Sequence, residues 1–161
     1  MKLVTGNGVL AYAIAVAVVI LDQVSKAWVL GGLGLTYGSP IPVFGPLRLT
    51  LVENAGISFG LFQSDAPWTR WALAAFSLAV AAVVIAIVRR AQKTYGAAAL
   101  GLIIGGALGN FLDRVRGGVV VDFIDVTRLY FPWVFNLADS AITIGIVLLL
   151  VESAFQKKAQ T

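Results

Sequence analysis

The 161-residue sequence contains neither cysteine nor histidine. Without a thiol there is no disulfide, no cysteine nucleophile and no thiolate metal site. Without an imidazole there is no Ser-His-Asp triad and no axial histidine for a haem. Any catalysis falls to carboxylates, Lys, Arg, Ser, Thr or Tyr, and no metal or cofactor is expected. Charge is also scarce: 12% of residues are charged and 59% are hydrophobic, with a mean hydropathy of +0.90. A soluble domain averages about 25% charged residues. So few charges cannot cover a water-facing surface, and the chain reads as an integral membrane protein. Its net charge of +4 would suggest a nucleic-acid partner in a soluble protein. No basic patch interleaved with aromatics is present, so nucleic acid is set aside. The Lys and Arg residues read instead as helix-end determinants of orientation.

What is present is a set of apolar runs. A bilayer core needs about 20 mostly apolar helical residues, and four segments supply them, at roughly 9–30, 69–88, 95–114 and 136–155. The first run follows Lys2 and imitates a secretory signal. Its length, the three further spans, and Asp22 and Lys26 inside it argue for a retained helix. The whole chain, 1–161, reads as a single membrane domain. Residues 31–68 form a long connection rich in Gly and Pro, within which "LRLTLVE" alternates as a short strand. A short basic loop, "RRAQK", joins spans two and three. Residues 115–135 contain "GGVVVDFIDV", a β-branched run after a glycine pair. Four spans put both termini on one side, and the basic loop, Lys2 and the "QKK" tail assign that side to the cytoplasm. In the third span Gly101, Gly105 and Gly109 recur every four residues, a stripe that lets backbones approach closely.

Ionisable residues inside a membrane helix cost about 2.5–3.5 kcal/mol each at its centre, so those retained need a reason. Asp22 and Lys26 stand i,i+4 and can pair, either as an anchor near the membrane surface or beside a substrate. Asn110, Asp113 and Arg114 share a face at the end of the third span, and a buried amide needs hydrogen-bond partners. Asn54 and Gly56, in "ENAGISFG", read as a turn. Asp122 lies in the β-branched run. Asp139 lies one turn into the fourth span, on a face with Asn136 and Thr143. Two convergent carboxylates cannot both ionise cheaply, so they share a proton. One can then take a proton from water while the other polarises a carbonyl, which is hydrolysis without a covalent intermediate. Asp113 and Asp125 are rival members of such a pair, and salt bridges to Arg114 or Arg128 are the plainer alternative. Other readings are a small proton relay or transporter using the same carboxylates, a Ser/Lys protease built on Lys26 with Ser25 or Ser58, and a purely structural subunit.

Five motifs in order, "DQVSK", "ENAGISFG", "GNFLDR", "VVVDFI" and "FNLADS", together resemble the lipoprotein signal peptidases, or signal peptidase II, over nearly the whole chain. The resemblance implies an all-α membrane fold of four transmembrane helices with a small periplasmic β-sheet cradle, fitting residues 40–60, and a mobile periplasmic segment over the site. It implies a bacterial inner-membrane aspartic peptidase, with both termini cytoplasmic and the active site near the periplasmic side. The reaction implied is cleavage before the diacylglyceryl-modified cysteine of a prolipoprotein. By motif position Asp122 and Asp139 are catalytic. Asp22, Lys26, Asn54, Gly56, Asn110, Asp113, Arg114 and Asn136 support them. Membrane lipid and the inhibitor globomycin are the further partners implied, and a monomer is expected. Two positions depart from the pattern: Asp125 adds a carboxylate three residues after Asp122, and Ala55 stands where many relatives carry Thr.

Overall fold

Four long helices and one small sheet make up the computed structural model, which describes residues 6–56, 68–88 and 93–158. The expectations placed on Lys2, Ser58, the end of "ENAGISFG" and the Arg89–Arg90 pair lie outside these residues. The helices are α1 (Gly6–Ala27), α2 (Thr69–Val88), α3 (Thr94–Gly117) and α4 (Leu137–Lys158). A π-helical turn, Trp28–Gly32, prolongs α1, so the first helical segment both starts and ends outside the 9–30 of the sequence reading. Each of the four is long and apolar enough to cross a membrane.

α3 is the central helix, packed against the other three, and most of its residues are buried. The outer helices turn Val16, Ile20 and Val24 of α1, Val83 of α2 and Ile144, Val147 and Leu150 of α4 outward, the apolar face a lipid phase requires. Glycine permits the central packing. A Cβ at Gly101 would stand 2.5 Å from the Ala11 carbonyl oxygen of α1, and one at Gly105 would stand 2.6 Å from Val18 Cβ. The stripe therefore seats α3 on α1, as its spacing predicts. A second pair, absent from the sequence reading, seats α3 on α4: Gly106 lies against the Ala138 carbonyl, and Gly145 faces that of Ala99.

α3 ends because Gly118 takes the left-handed conformation (φ 85°) and donates its N–H to the Arg114 carbonyl. The chain then enters the sheet. β1 (Ile41–Phe44), β2 (Leu47–Asn54), β3 (Val120–Asp125) and β4 (Val134–Phe135) pair antiparallel in that order. The region 40–60 thus supplies only half the sheet, and the connection 115–135 supplies the other half. Val29, Leu35, Leu51 and Phe123 form the sheet's own apolar core.

One irregularity between β2 and β3 matters for the site. Leu49 faces Ile124 but Val52 faces Asp122, so β2 carries one extra residue. Side chains alternate along a strand and a bulge resets that alternation. Arg48 and Thr50 consequently meet Asp125 on one face while Asn54 meets Asp122 on the other.

Candidate active site

The C-terminal ends of α1 and α3, the N-terminal ends of α2 and α4, and strand β3 meet at one end of the bundle. Every buried charged side chain among the described residues lies there: Asp22, Lys26, Arg114, Asp122, Asp125 and Asp139. These groups separate by their partners into three clusters.

The first cluster joins Asp122 to Asp139 through asparagines. Asn136 Nδ2 donates to Asp122 Oδ1 at 2.7 Å and, more weakly, to Asn110 Oδ1 at 3.4 Å. Asn110 Nδ2 donates to Asp139 Oδ1 at 2.9 Å. Asn54 Nδ2 donates to the second Asp122 oxygen at 2.9 Å, while its own oxygen accepts the Gly56 N–H. Asn136 is also the N-cap of α4, since its Oδ1 accepts the Asp139 N–H at 2.9 Å. It therefore starts the helix just before Asp139 and holds Asp122 with the opposite end of the same amide. Arg114 braces the cluster. Its guanidinium donates to the Gly56 carbonyl at 2.8 Å, to Ser77 Oγ and, at 3.4 Å, to the Asn110 carbonyl. Burial, then the neighbouring charge of Asp139, pushes the Asp122 carboxyl up to about 7, against the hydrogen bonds from Asn54 and Asn136. Its ordinary value is 3.8.

The second cluster holds Asp22 and Asp113 around one ammonium. Lys26 Nζ lies 2.8 Å from Asp22 Oδ2 and 2.7 Å from Asp113 Oδ2. Gln23 Nε2 donates to Asp113 Oδ1 at 2.8 Å and to Asp22 Oδ2 at 3.2 Å. A Cβ at Gly109 would stand 2.7 Å from Asp22 Oδ2, so this glycine makes room for a carboxylate rather than a helix backbone. The expected rival Asp113 thus belongs with Lys26 and not with the pair.

The third cluster belongs to Asp125, the other rival. Its oxygens accept from Thr50 Oγ1 and from the Thr127 N–H and hydroxyl, and Arg48 lies 2.7 Å away. Burial opposes ionisation here too, but those hydrogen bonds and the Arg48 charge bring the carboxyl down to about 2. It is an ionised strut that closes β3 onto β2. The plain alternative of aspartates paired with Arg114 is not met, because that guanidinium goes to Gly56, Ser77 and Asn110.

Two recesses open beside the asparagine chain. One, of about 350 Å³, is lined by Trp133, Phe135, Asp139, Ser140, Thr143 and Ile144. The other, of about 280 Å³, lies among α2, α3 and α4 with Asn110 and Arg114 at its polar end. Both are otherwise mostly apolar, so a polar reacting group brought here would be flanked by surfaces suited to hydrocarbon. Among the described residues no group of three Asp or Glu side chains is placed to hold a metal ion.

A family described as signal peptidase (SPase) II matches residues 14–155, a stretch that includes all three clusters. The chain belongs to the signal peptidase II family. It is 53% identical over 151 residues to a lipoprotein signal peptidase of Caulobacter vibrioides, covering 93% of this chain and 89% of that one. It is 42% identical to the lipoprotein signal peptidase of Pseudomonas aeruginosa, again over 151 residues, with 91% and 88% covered. A solved bacterial membrane enzyme superposes with a TM-score of 0.83 at 29% identity, covering 94% of this chain and 91% of that one. This member of the signal peptidase II family is accordingly a peptidase and a multi-pass membrane protein.

Sequence reasoning missed Gln23 and Ser77. Both are polar residues in apolar runs, and that alone could have flagged them. The Asp22–Lys26 pair was readable locally at its i,i+4 spacing, but the partners of Asp113, Asp122 and Arg114 come from distant segments.

Proposed function

We propose that this chain is an aspartic endopeptidase that removes the signal peptide from diacylglyceryl-modified prolipoproteins, cleaving before the lipidated cysteine, with Asp122 and Asp139 as the catalytic pair. The observation that carries this reading is the Asp122–Asn136–Asn110–Asp139 chain, which ties two buried carboxyls from different elements into one network. The raised Asp122 carboxyl supports it too, since a pair that shares its charge at neutral pH holds both an acid and a base. Asp122 keeps the proton and hydrogen-bonds the scissile carbonyl. The other carboxylate takes a proton from an attacking water. The tetrahedral intermediate then collapses as the amide nitrogen receives that proton. Asn54, Asn110 and Asn136 hold the two carboxyls in place, and Arg114 and Gly56 hold the asparagines.

The same reading puts the sheet and the pair on the periplasmic face of the bacterial inner membrane, with both termini cytoplasmic. The acyl chains of the substrate stay in the outer leaflet, and globomycin competes for the site. A transmembrane proton relay is disfavoured, because the buried charges gather at one end of the bundle instead of running through it.

The test is cleavage of a diacylglyceryl prolipoprotein by purified protein in detergent, followed by gel shift. Asp122→Asn and Asp139→Asn should each abolish cleavage while staying folded, and Asp125→Asn should remain active. Cleavage by a folded Asp122→Asn or Asp139→Asn protein refutes the assignment.

A further inference from the structure

We infer that Lys26 is a positioning residue for the proposed reaction: its single ammonium fixes the two carboxylates that hold the backbone immediately before Asp122 and immediately before Asp139. The residue preceding Asp122 is Val121, whose N–H donates to Asp113 Oδ2 at 3.3 Å. The residue preceding Asp139 is Ala138, whose N–H donates to Asp22 Oδ1 at 3.1 Å. Those two acceptors are the carboxylates bound to Lys26, at 2.7 and 2.8 Å. One cation from α1 therefore links an acid of α3 to strand β3, and an acid of α1 to the first turn of α4. The inference rests on Asp122 and Asp139 being the catalytic pair.

Two simpler roles fit poorly. A membrane-surface anchor would run its stem along the helix and place the ammonium in water, but Lys26 is 4% exposed and its Nζ turns inward. A substrate contact would need an accessible donor, whereas this ammonium lies between the Asp22 and Asp113 carboxylates. Asp22 is fully buried and serves as a remote cap for α4, supplementing Asn136 at the same helix end.

The neutral strut Gln23 supplies the second link, because it bridges the same two acids. Without the ammonium, the Asp22 and Asp113 carboxylates face each other uncompensated. They separate or take up a proton, and either response loosens the grip on Val121 and Ala138. Misplacing a catalytic group by about 1 Å can cost on the order of 100-fold in rate without changing what binds.

The experiment is steady-state cleavage of a diacylglyceryl prolipoprotein by the full chain in detergent, with a thermal melt for each variant. Lys26→Met should lower kcat by roughly 100-fold and leave KM within about twofold, and Lys26→Arg should restore part of the loss. Gln23→Leu removes a link without stranding a charge, and should lower kcat several-fold at unchanged KM. Ile104→Ala, in the α1–α3 core, should lower the melting temperature and leave kcat alone. Wild-type kcat in folded Lys26→Met overturns the inference. If that variant does not accumulate, wild-type kcat in Gln23→Leu does the same. A rise in KM alone overturns it in favour of substrate contact. Asp122→Asn runs alongside: if it cleaves, the aspartic reading itself has failed, whereas an inactive Asp122→Asn beside fully active Lys26 and Gln23 variants refutes the positioning role alone.

Discussion

Asp122 should make this protein less stable as the pH rises from 5 to 8. Its carboxyl is 1% exposed, and in the fold it titrates at about 7 against an ordinary 3.8. A folded state that holds its proton more tightly than the unfolded chain is favoured at low pH. That advantage is complete below about 3.8 and disappears as the pH rises through about 7. At about 1.36 kcal/mol per pH unit, the whole difference is on the order of 4 kcal/mol, of which about 3 kcal/mol falls between pH 5 and 8. For a chain of this size about 1 kcal/mol moves the melting temperature by roughly 2–4 °C. Wild type should therefore melt roughly 6–12 °C lower at pH 8 than at pH 5 through this group alone.

The assay is thermal unfolding in detergent across that range for wild type, Asp122→Asn and Asp139→Asn. Asp122→Asn should flatten the slope. Asp139→Asn should shift it to lower pH, because it removes the second cause of the raised value. Asp125 does not confuse the comparison: its carboxyl sits at about 2, so its contribution changes only below about pH 4. Parallel slopes for wild type and Asp122→Asn between pH 5 and 8 would refute the reasoning, since another group would then be titrating.

Asp125→Ala should keep cleavage and lose stability at neutral pH by about 2 kcal/mol, with the gap to wild type closing as pH falls from about 4 to 2, measured by melts across that range. Asn54→Ala removes one donor to Asp122 and should move the alkaline limb of kcat/KM to higher pH, because Asp122 is the group that must keep its proton, with a loss of about 10-fold or more in kcat. Gly106→Val should abolish folded protein on size-exclusion chromatography, because even a bare Cβ overlaps the Ala138 carbonyl. Gly31→Ala, with open space around it, should be silent.

The four helices were legible because lipid imposes long charge-free runs, and such runs survive in composition alone. The polar residues were legible for the complementary reason: Asp22, Lys26, Asn110, Asp113 and Asp139 stand out against the apolar background at the ends of these runs. The sheet was only half legible. "LRLTLVE" alternates and reads as a strand, but its pairing with Val120–Asp125 spans 66 residues between Asn54 and Val120, and nothing local encodes that register. The bulge that sends Thr50 and Asn54 to opposite faces is invisible in an even-numbered series. Asp125 could therefore be set apart from Asp122 only by the partners each meets across the sheet. The glycine stripe toward α1 was legible as a four-residue repeat, whereas Gly106 and Gly145 face α4 without one.

What separates Asp122 from its rivals is the kind of partner each acid meets. Asp113 and Asp125 each meet a cation, and Asp125 meets hydroxyls as well. A cation holds a carboxylate ionised and spends its charge on structure. The hydrogen-bond donors to Asp122 are amides from Asn54 and Asn136. An amide orients a carboxyl in either protonation state without cancelling its charge. In a buried site that leaves the group costly to ionise and able to exchange a proton near neutral pH. The chain can meet this requirement because asparagine is available at three positions from three elements, β2, α3 and the cap of α4. Replacing Asn54 or Asn136 by Lys would set a fixed positive charge against Asp122 and hold it ionised, even where packing was preserved. On the proposed aspartic reading, the asparagines therefore matter to proton transfer as much as the aspartates they hold.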